Sequence, residues 1–130
     1  MNPHVVAAAG RVLLALLFVV AGWNKIGGFE GTLGYMASKG LPMPQVLLVL
    51  TIVLELAGGI LLAIGYKTRW VAIAFFLWLI PTTLVFHNFW AVDAAQVQNQ
   101  MNHFLKNVAI AGGMLLLAAL GPGALSVDKR

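Results

Sequence analysis

The chain has 130 residues, 61% hydrophobic and 9% charged, with a net charge of +4 and no cysteine. A soluble domain carries about 25% charged residues, so composition excludes a soluble fold and points to an integral membrane protein. The scattered basic residues exclude a nucleic-acid surface. The missing cysteines exclude thiol–disulfide chemistry, thiolate metal sites and cysteine-linked haem, and with them the four-helix membrane thiol oxidoreductases.

A membrane-spanning helix needs about 20 apolar residues. Four spans therefore use most of the length, as one domain over 1–130. The expected fold is all-α: a polytopic bundle of four transmembrane helices, with a short interfacial helix between the first two. The first span runs from Val5 to Trp23. Arg11 interrupts its apolar run and no basic segment precedes it, so it reads as an uncleaved span rather than a signal peptide. Arg11, Ala15, Phe18, Gly22 and Lys25 share one helical face. From Asn24 to Pro44 the chain leaves the membrane core. Phe29, Leu33 and Met36 recur at helical spacing there, and Gly40 is a helix stop.

The second span, Val46 to Tyr66, organises the rest. Glu55 stands at its midpoint, where a carboxylate costs roughly 2.5–3.5 kcal/mol on insertion scales. Thr51, Glu55, Gly58, Gly59 and Leu62 form one polar and small stripe, which should face protein while the apolar sides meet lipid. If the first two spans are antiparallel and level, Arg11 reaches the depth of Glu55. A direct or water-bridged Arg11–Glu55 contact is one expectation; Arg11 snorkelling to the interface is the other. Lys25 is the alternative partner.

Tyr66 to Arg69 is a tight basic turn into the third span, Trp70 to Phe86. Arg69, Phe76, Ile80, Thr83 and His87 line one face of it, and Pro81 sits inside the helix. The connection His87 to His103 carries Phe89 and Trp90, which suit an interfacial belt. Asp93 with Gln96 is a capping pattern. Gln96, Gln100, His103 and Asn107 share a face, and the fourth span becomes apolar from Val108 to Leu120. Gly112 and Gly113 allow a neighbouring helix to approach. Gly121 to Gly123 stops the helix. Arg69 and Asp128 are candidates for a structural charge pair.

Basic residues orient the bundle. Lys67, Arg69, Lys129, Arg130 and Arg11 lie on the side of both termini, against Lys25, Lys39 and Lys106 on the other. Both termini are therefore expected in the cytoplasm. With that topology, Asn24, Lys25, His87, Asn88, Trp90, Gln100, His103, Lys106 and Asn107 gather at the outer ends, above Glu55. The candidate ligand-binding or proton-linked residues are Glu55, Arg11, Lys25, His87, Lys106, Asn107, His103 and Trp90. Snorkelling is the bland reading of Lys25 and Lys106. His87 and His103, at unrelated spacing, are weak metal ligands, and no metal is expected. No nucleophile–base set or phosphate loop is present, so no catalytic residue is assigned.

The ordered motifs Arg11…Phe18…Gly22-x-x-Lys25, Gly40-x-Pro42, Glu55-x-x-Gly58-Gly59, Gly65-x-x-x-Arg69 and His87-x-Phe89 resemble the DoxX family. So do Lys106-Asn107, Gly112-Gly113 and Gly121-x-Gly123-x-x-Ser126-x-Asp128. The resemblance covers nearly the whole chain, in particular to the small YqjF-like inner-membrane members. It implies a four-helix bacterial inner-membrane protein, with a quinone or an oxidoreductase partner in a membrane redox or detoxification assembly. The expected function is an intramembrane polar site that binds a quinone or small anion, in a subunit of a quinone-linked oxidoreductase. The alternatives are a non-catalytic scaffold for a soluble or membrane oxidoreductase, or a small transporter acting as a homo-oligomer.

Overall fold

The computed structural model describes residues 1–129. Helix α1 spans Pro3–Gly27. The Asn2 side chain caps it by accepting the His4 amide at 2.9 Å, and Pro3 opens its first turn. Short helix α2 follows at Phe29–Ser38. Gly40, at φ 76°, stops it in the left-handed conformation that glycine adopts without penalty. Helix α3 spans Pro44–Ile64. Inside it, Leu54–Gly58 form a single π turn that contains Glu55. Helix α4 covers Thr68–Phe86 and runs on across Pro81. A 3-10 turn at Phe89–Ala91 leads to α5, Ala94–Leu120. There is no strand among the described residues. Four helical stretches, Pro3–Gly27, Pro44–Ile64, Thr68–Ala91 and Ala94–Leu120, are long and apolar enough to cross a membrane. The expected all-α, four-span bundle with a short helix after the first span is therefore the observed architecture.

Small residues bring the helices together. A Cβ on Gly59 would lie 2.7 Å from Val19 Cγ2, and one on Gly58 would lie 2.9 Å from the Phe75 ring. One thin face of α3 thus seats both α1 and α4. Phe18 and Phe75 stack at 4.1 Å between ring centroids, at the centre of a core completed by Ala15, Leu62, Ala72, Leu79 and Met114. Leu13, Leu16, Val20, Leu50, Val53 and Ile60 point outward, as a lipid-facing surface requires. The buried face of α1 is Arg11, Ala15, Phe18 and Gly22, and that of α3 includes Glu55, Gly58, Gly59 and Leu62, as their spacing predicts.

The inner face of α4 is Thr68, Ala72, Phe75, Leu79 and Thr83; of the residues that share a face by spacing only Thr83 is buried, and Arg69 and Ile80 face outward. This helix is apolar all round, so periodicity offers little to choose a side, and packing against Gly58 and Phe18 makes the choice. On α5, Asn107 and Met114 are buried, while Gln96 and Lys106 are exposed. Gly113 lies under Leu14 of α1, with its Cβ position 3.4 Å from Leu14 Cδ1; Gly112 meets nothing within 4 Å. Asp93 stands at the N-cap of α5 as expected, but its side chain makes no cap hydrogen bond there.

The chain past α5 folds back on the α3–α4 turn. The Val127 amide donates to Ile64 O at 3.0 Å and the Asp128 amide to Gly65 O at 2.9 Å. The Asp128 carboxylate in turn accepts the Lys67 and Thr68 amides, both at 2.9 Å. This caps the start of α4.

Candidate functional site

Lys25 and Glu55 form the only ion pair among the described residues, Nζ to Oε1 at 2.8 Å. Lys25 comes from the last turn of α1 and Glu55 from the π turn of α3. Gly22 makes the meeting possible. A Cβ there would stand 2.8 Å from Leu56 Cγ and 3.1 Å from Glu55 Cβ. The Glu55 side chain is 3% exposed, and that of Lys25 is 27% exposed. A buried carboxylate is tolerable only with such a partner. The π turn was not legible in the sequence; Gly58-Gly59 is its only local signal. Such turns widen a helix where side chains are re-aimed.

The expected Arg11–Glu55 contact does not form. The Arg11 guanidinium donates instead to Pro122 O at 2.6 Å, Leu125 O at 3.0 Å and Ala63 O at 3.2 and 3.4 Å. The reason is stagger. Arg11 is level with Ala63, Ala15 with Gly59, and Gly22 with Leu56. Ala63 is eight residues beyond Glu55, roughly 12 Å along the helix. Arg11 therefore satisfies backbone carbonyls at the end of the bundle that holds both termini. Snorkelling is not its fate either, because it is buried.

At the Lys25 end the bundle opens. No Cα of Pro44–Val53 comes within 8 Å of one in α4. Between these diverging segments lies a cavity of about 230 Å³, lined by Lys25, Thr51, Trp78, Thr82, Phe86 and His87 and covered by Thr32, Tyr35 and Met36 of α2. A second hollow of about 160 Å³ shares Thr51, Trp78 and Thr82 and runs on to Leu47, Pro81 and Val85. Tyr35 of α2 stacks on Phe86 of α4 at 5.5 Å, closing α2 across the gap. An ammonium has three donors. Glu55 is the one partner of Lys25 among the described residues, so the pair does not use up the donors that Lys25 brings to the cavity wall.

His87 belongs to this cavity and to a second cluster. Its Nδ1 is hydrogen-bonded to Gln100 Oε1 at 2.9 Å, and its ring stacks on His103 at 5.0 Å. Below them Asn107 Nδ2 donates to Thr83 Oγ1 at 3.1 Å, both buried. Trp90 packs edge-on against Phe89 and Phe104 and is 58% exposed. Of the expected site residues, then, Lys25, Glu55 and His87 come together. His103 and Asn107 stand behind His87, Trp90 and Lys106 lie at the surface, and Arg11 is at the opposite end. Arg69 and Asp128 border one hollow there; Asp128 takes backbone amides and Arg69 reaches Leu120 O at 3.5 Å. No group of three or more potential metal-ligating His, Cys, Asp or Glu residues exists among the described residues. Sequence reasoning missed Tyr35, Trp78 and Thr82, which no charge or motif marks.

The family model described as DoxX matches residues 6–88, a range that contains Lys25, Glu55 and His87. The chain is 41% identical over 120 residues to Inner membrane protein YphA of Escherichia coli (strain K12), covering 92% of this chain and 86% of that one. It is 40% identical over 119 residues to Inner membrane protein YqjF of the same organism, with 92% and 86% covered. CatD of Bacillus subtilis (strain 168), whose name proposes an oxidoreductase, is 40% identical over 70 residues, 54% of this chain and 51% of that one. No solved structure matches. A family model over residues 6–88, which is more than half of the chain, and two relatives at 40% identity or more over most of both lengths give one result: the chain belongs to the DoxX family.

Proposed function

We propose that the cavity at the Lys25 end receives the head group of a quinone, and that the protein serves a redox or detoxification assembly of the inner membrane. The observation that carries this reading is the Lys25 ammonium, which lines the cavity, pairs with buried Glu55 and has donors with no other partner among the described residues. A quinone carbonyl is an acceptor of the kind those donors need. Trp78 and Phe86 offer flat apolar walls for the ring, and Thr51 and Thr82 offer hydroxyls. At about 230 Å³ the cavity is smaller than the roughly 300 Å³ lower bound for drug-sized ligands. It suits a head group whose tail leaves through the gap between α3 and α4 into lipid. The chain has no cysteine, and its role is to hold the ring while a partner supplies electrons. The names of YphA and YqjF support the inner membrane, and that of CatD supports a redox setting.

The test is binding of a short-tailed quinone to protein in nanodiscs, read by quenching of Trp78 with Trp78→Phe as the signal control. Glu55→Gln and Thr82→Leu should each weaken binding about tenfold or more, the first by freeing Lys25 and the second by filling the cavity. Equal binding by wild type and both variants overturns the reading. If the pair serves only to lock a scaffold, Glu55→Gln lowers folded yield and wild type shows no quinone signal.

The termini are assigned to the cytoplasm. Arg11, held among tail carbonyls, joins Lys67, Arg69 and Lys129 at that end, against Lys25, Lys39 and Lys106. A single cysteine at Ser38 should react with an impermeant maleimide added to spheroplasts, and one at Ala124 should not; the reverse pattern inverts the topology.

A further inference from the structure

The opposite end of the bundle carries chemistry that the head-group cavity does not use. Lys67 and Arg69 flank a hollow of about 200 Å³, walled by Trp70, Pro122 and Asp128. The hollow is built rather than incidental. Asp128 accepts the Lys67 and Thr68 amides at 2.9 Å, which fixes the turn that presents both cations. Pro122, wholly buried, is held by Arg11 through its carbonyl at 2.6 Å and forms the floor. Arg69 makes one hydrogen bond, to Leu120 O at 3.5 Å. That length is beyond the usual range for N–H···O, so most of its five donors remain unused. Lys67 lies 5.8 Å from the Tyr66 ring and has no side-chain hydrogen bond. Trp70 is 75% exposed and Tyr66 41% exposed. Exposed Trp and Tyr beside the end of a span sit at head-group depth, which sets Lys67 and Arg69 level with lipid phosphates.

We propose that this hollow seats the phosphate of an anionic phospholipid. Arg69 takes two phosphate oxygens through its fork, as guanidinium does with phosphates. Lys67 adds a point charge, and Trp70 packs against the glycerol and upper acyl chain. Basic pockets at the ends of spanning helices hold such head groups at about 1 kcal/mol per cation near the surface, about fivefold each.

The test is retention of defined lipids by the full-length protein, counted by native mass spectrometry after exchange into phosphatidylglycerol or phosphatidylcholine. Wild type should retain phosphatidylglycerol over phosphatidylcholine by about tenfold or more. Lys67→Asn with Arg69→Gln should abolish that preference; asparagine is chosen because Lys67 has φ 50°, a left-handed conformation that Asn tolerates. Lys39→Gln with Lys106→Gln removes equal charge at the other end and should preserve it. Three results each overturn the proposal: no preference in wild type, equal loss in both double variants, or displacement of phosphatidylglycerol by millimolar inorganic phosphate, which would make the site one for a free anion. Far-UV circular dichroism of each variant confirms the fold.

Discussion

Lys25 Nζ stands 2.8 Å from Glu55 Oε1 because Gly22, one turn earlier on α1, has no side chain to hold the helices apart. A cation from one span, a carboxylate from the next and the glycine between them are one device. Removing any of the three disturbs the other two.

Breaking a buried pair by removing one partner costs about 3–5 kcal/mol. Lys25 is part-exposed, so Lys25→Met should fall at the lower end, and Glu55→Gln should cost less than Glu55→Ala. The double variant Lys25→Met with Glu55→Gln should be more stable than the sum of the single losses. A double-mutant cycle on reversible unfolding in mixed micelles measures this; strict additivity would show that the two groups do not interact.

Gly22→Ala adds one methyl 2.8 Å from Leu56 Cγ. Overpacking of this kind costs about 1–3 kcal/mol. The expected outcome is a lower unfolding midpoint together with weakening of the proposed quinone binding, since Lys25 is carried away from Glu55. Gly112→Ala, where nothing lies within 4 Å, should change neither. Matching effects at the two glycines would count against the close approach of α1 and α3.

Arg11 ties residues 122 and 125 to Ala63. Hydrogen bonds from a charged donor contribute about 1.5–3 kcal/mol. Arg11→Gln should loosen the tail, so that a carboxypeptidase or trypsin acting near Lys129 cuts well ahead of any break in the bundle. The quinone binding proposed for the far end should persist, because the latch and the cavity share no residue. A tail that stays as resistant as in wild type would refute the latch.

Asp128 caps α4 by accepting two amides. Asp128→Ala should cost about 0.5–2 kcal/mol and speed hydrogen exchange at Lys67 and Thr68 more than at Gly65. Uniform exchange across 65–68 would mean that the carboxylate does not order the turn.

The sequence made some of the architecture legible and left other parts blank. Spacing alone predicts that Arg11, Ala15, Phe18 and Gly22 face inward, because charge and small size stand out against leucine and valine. It marks no inner side on α4, where Val71, Phe76, Leu77 and Ile80 are as apolar as Ala72, Phe75 and Leu79, so no contrast distinguishes one. It cannot reveal the gap between Pro44–Val53 and α4, since divergence of two helices leaves no trace in either one's pattern. Tyr35, Trp78 and Thr82 consequently joined the cavity only once the helices were placed.

By itself the sequence determined that four apolar helices form, that Glu55 must find a donor, and which face of α1 supplies one. Only the tertiary structure decided that the donor is Lys25 and not Arg11. Periodicity fixes angles around a helix axis and says nothing about displacement along it. That displacement is set by close contacts at Gly22 and Gly59, and by the tail carbonyls that hold Arg11 at the other end.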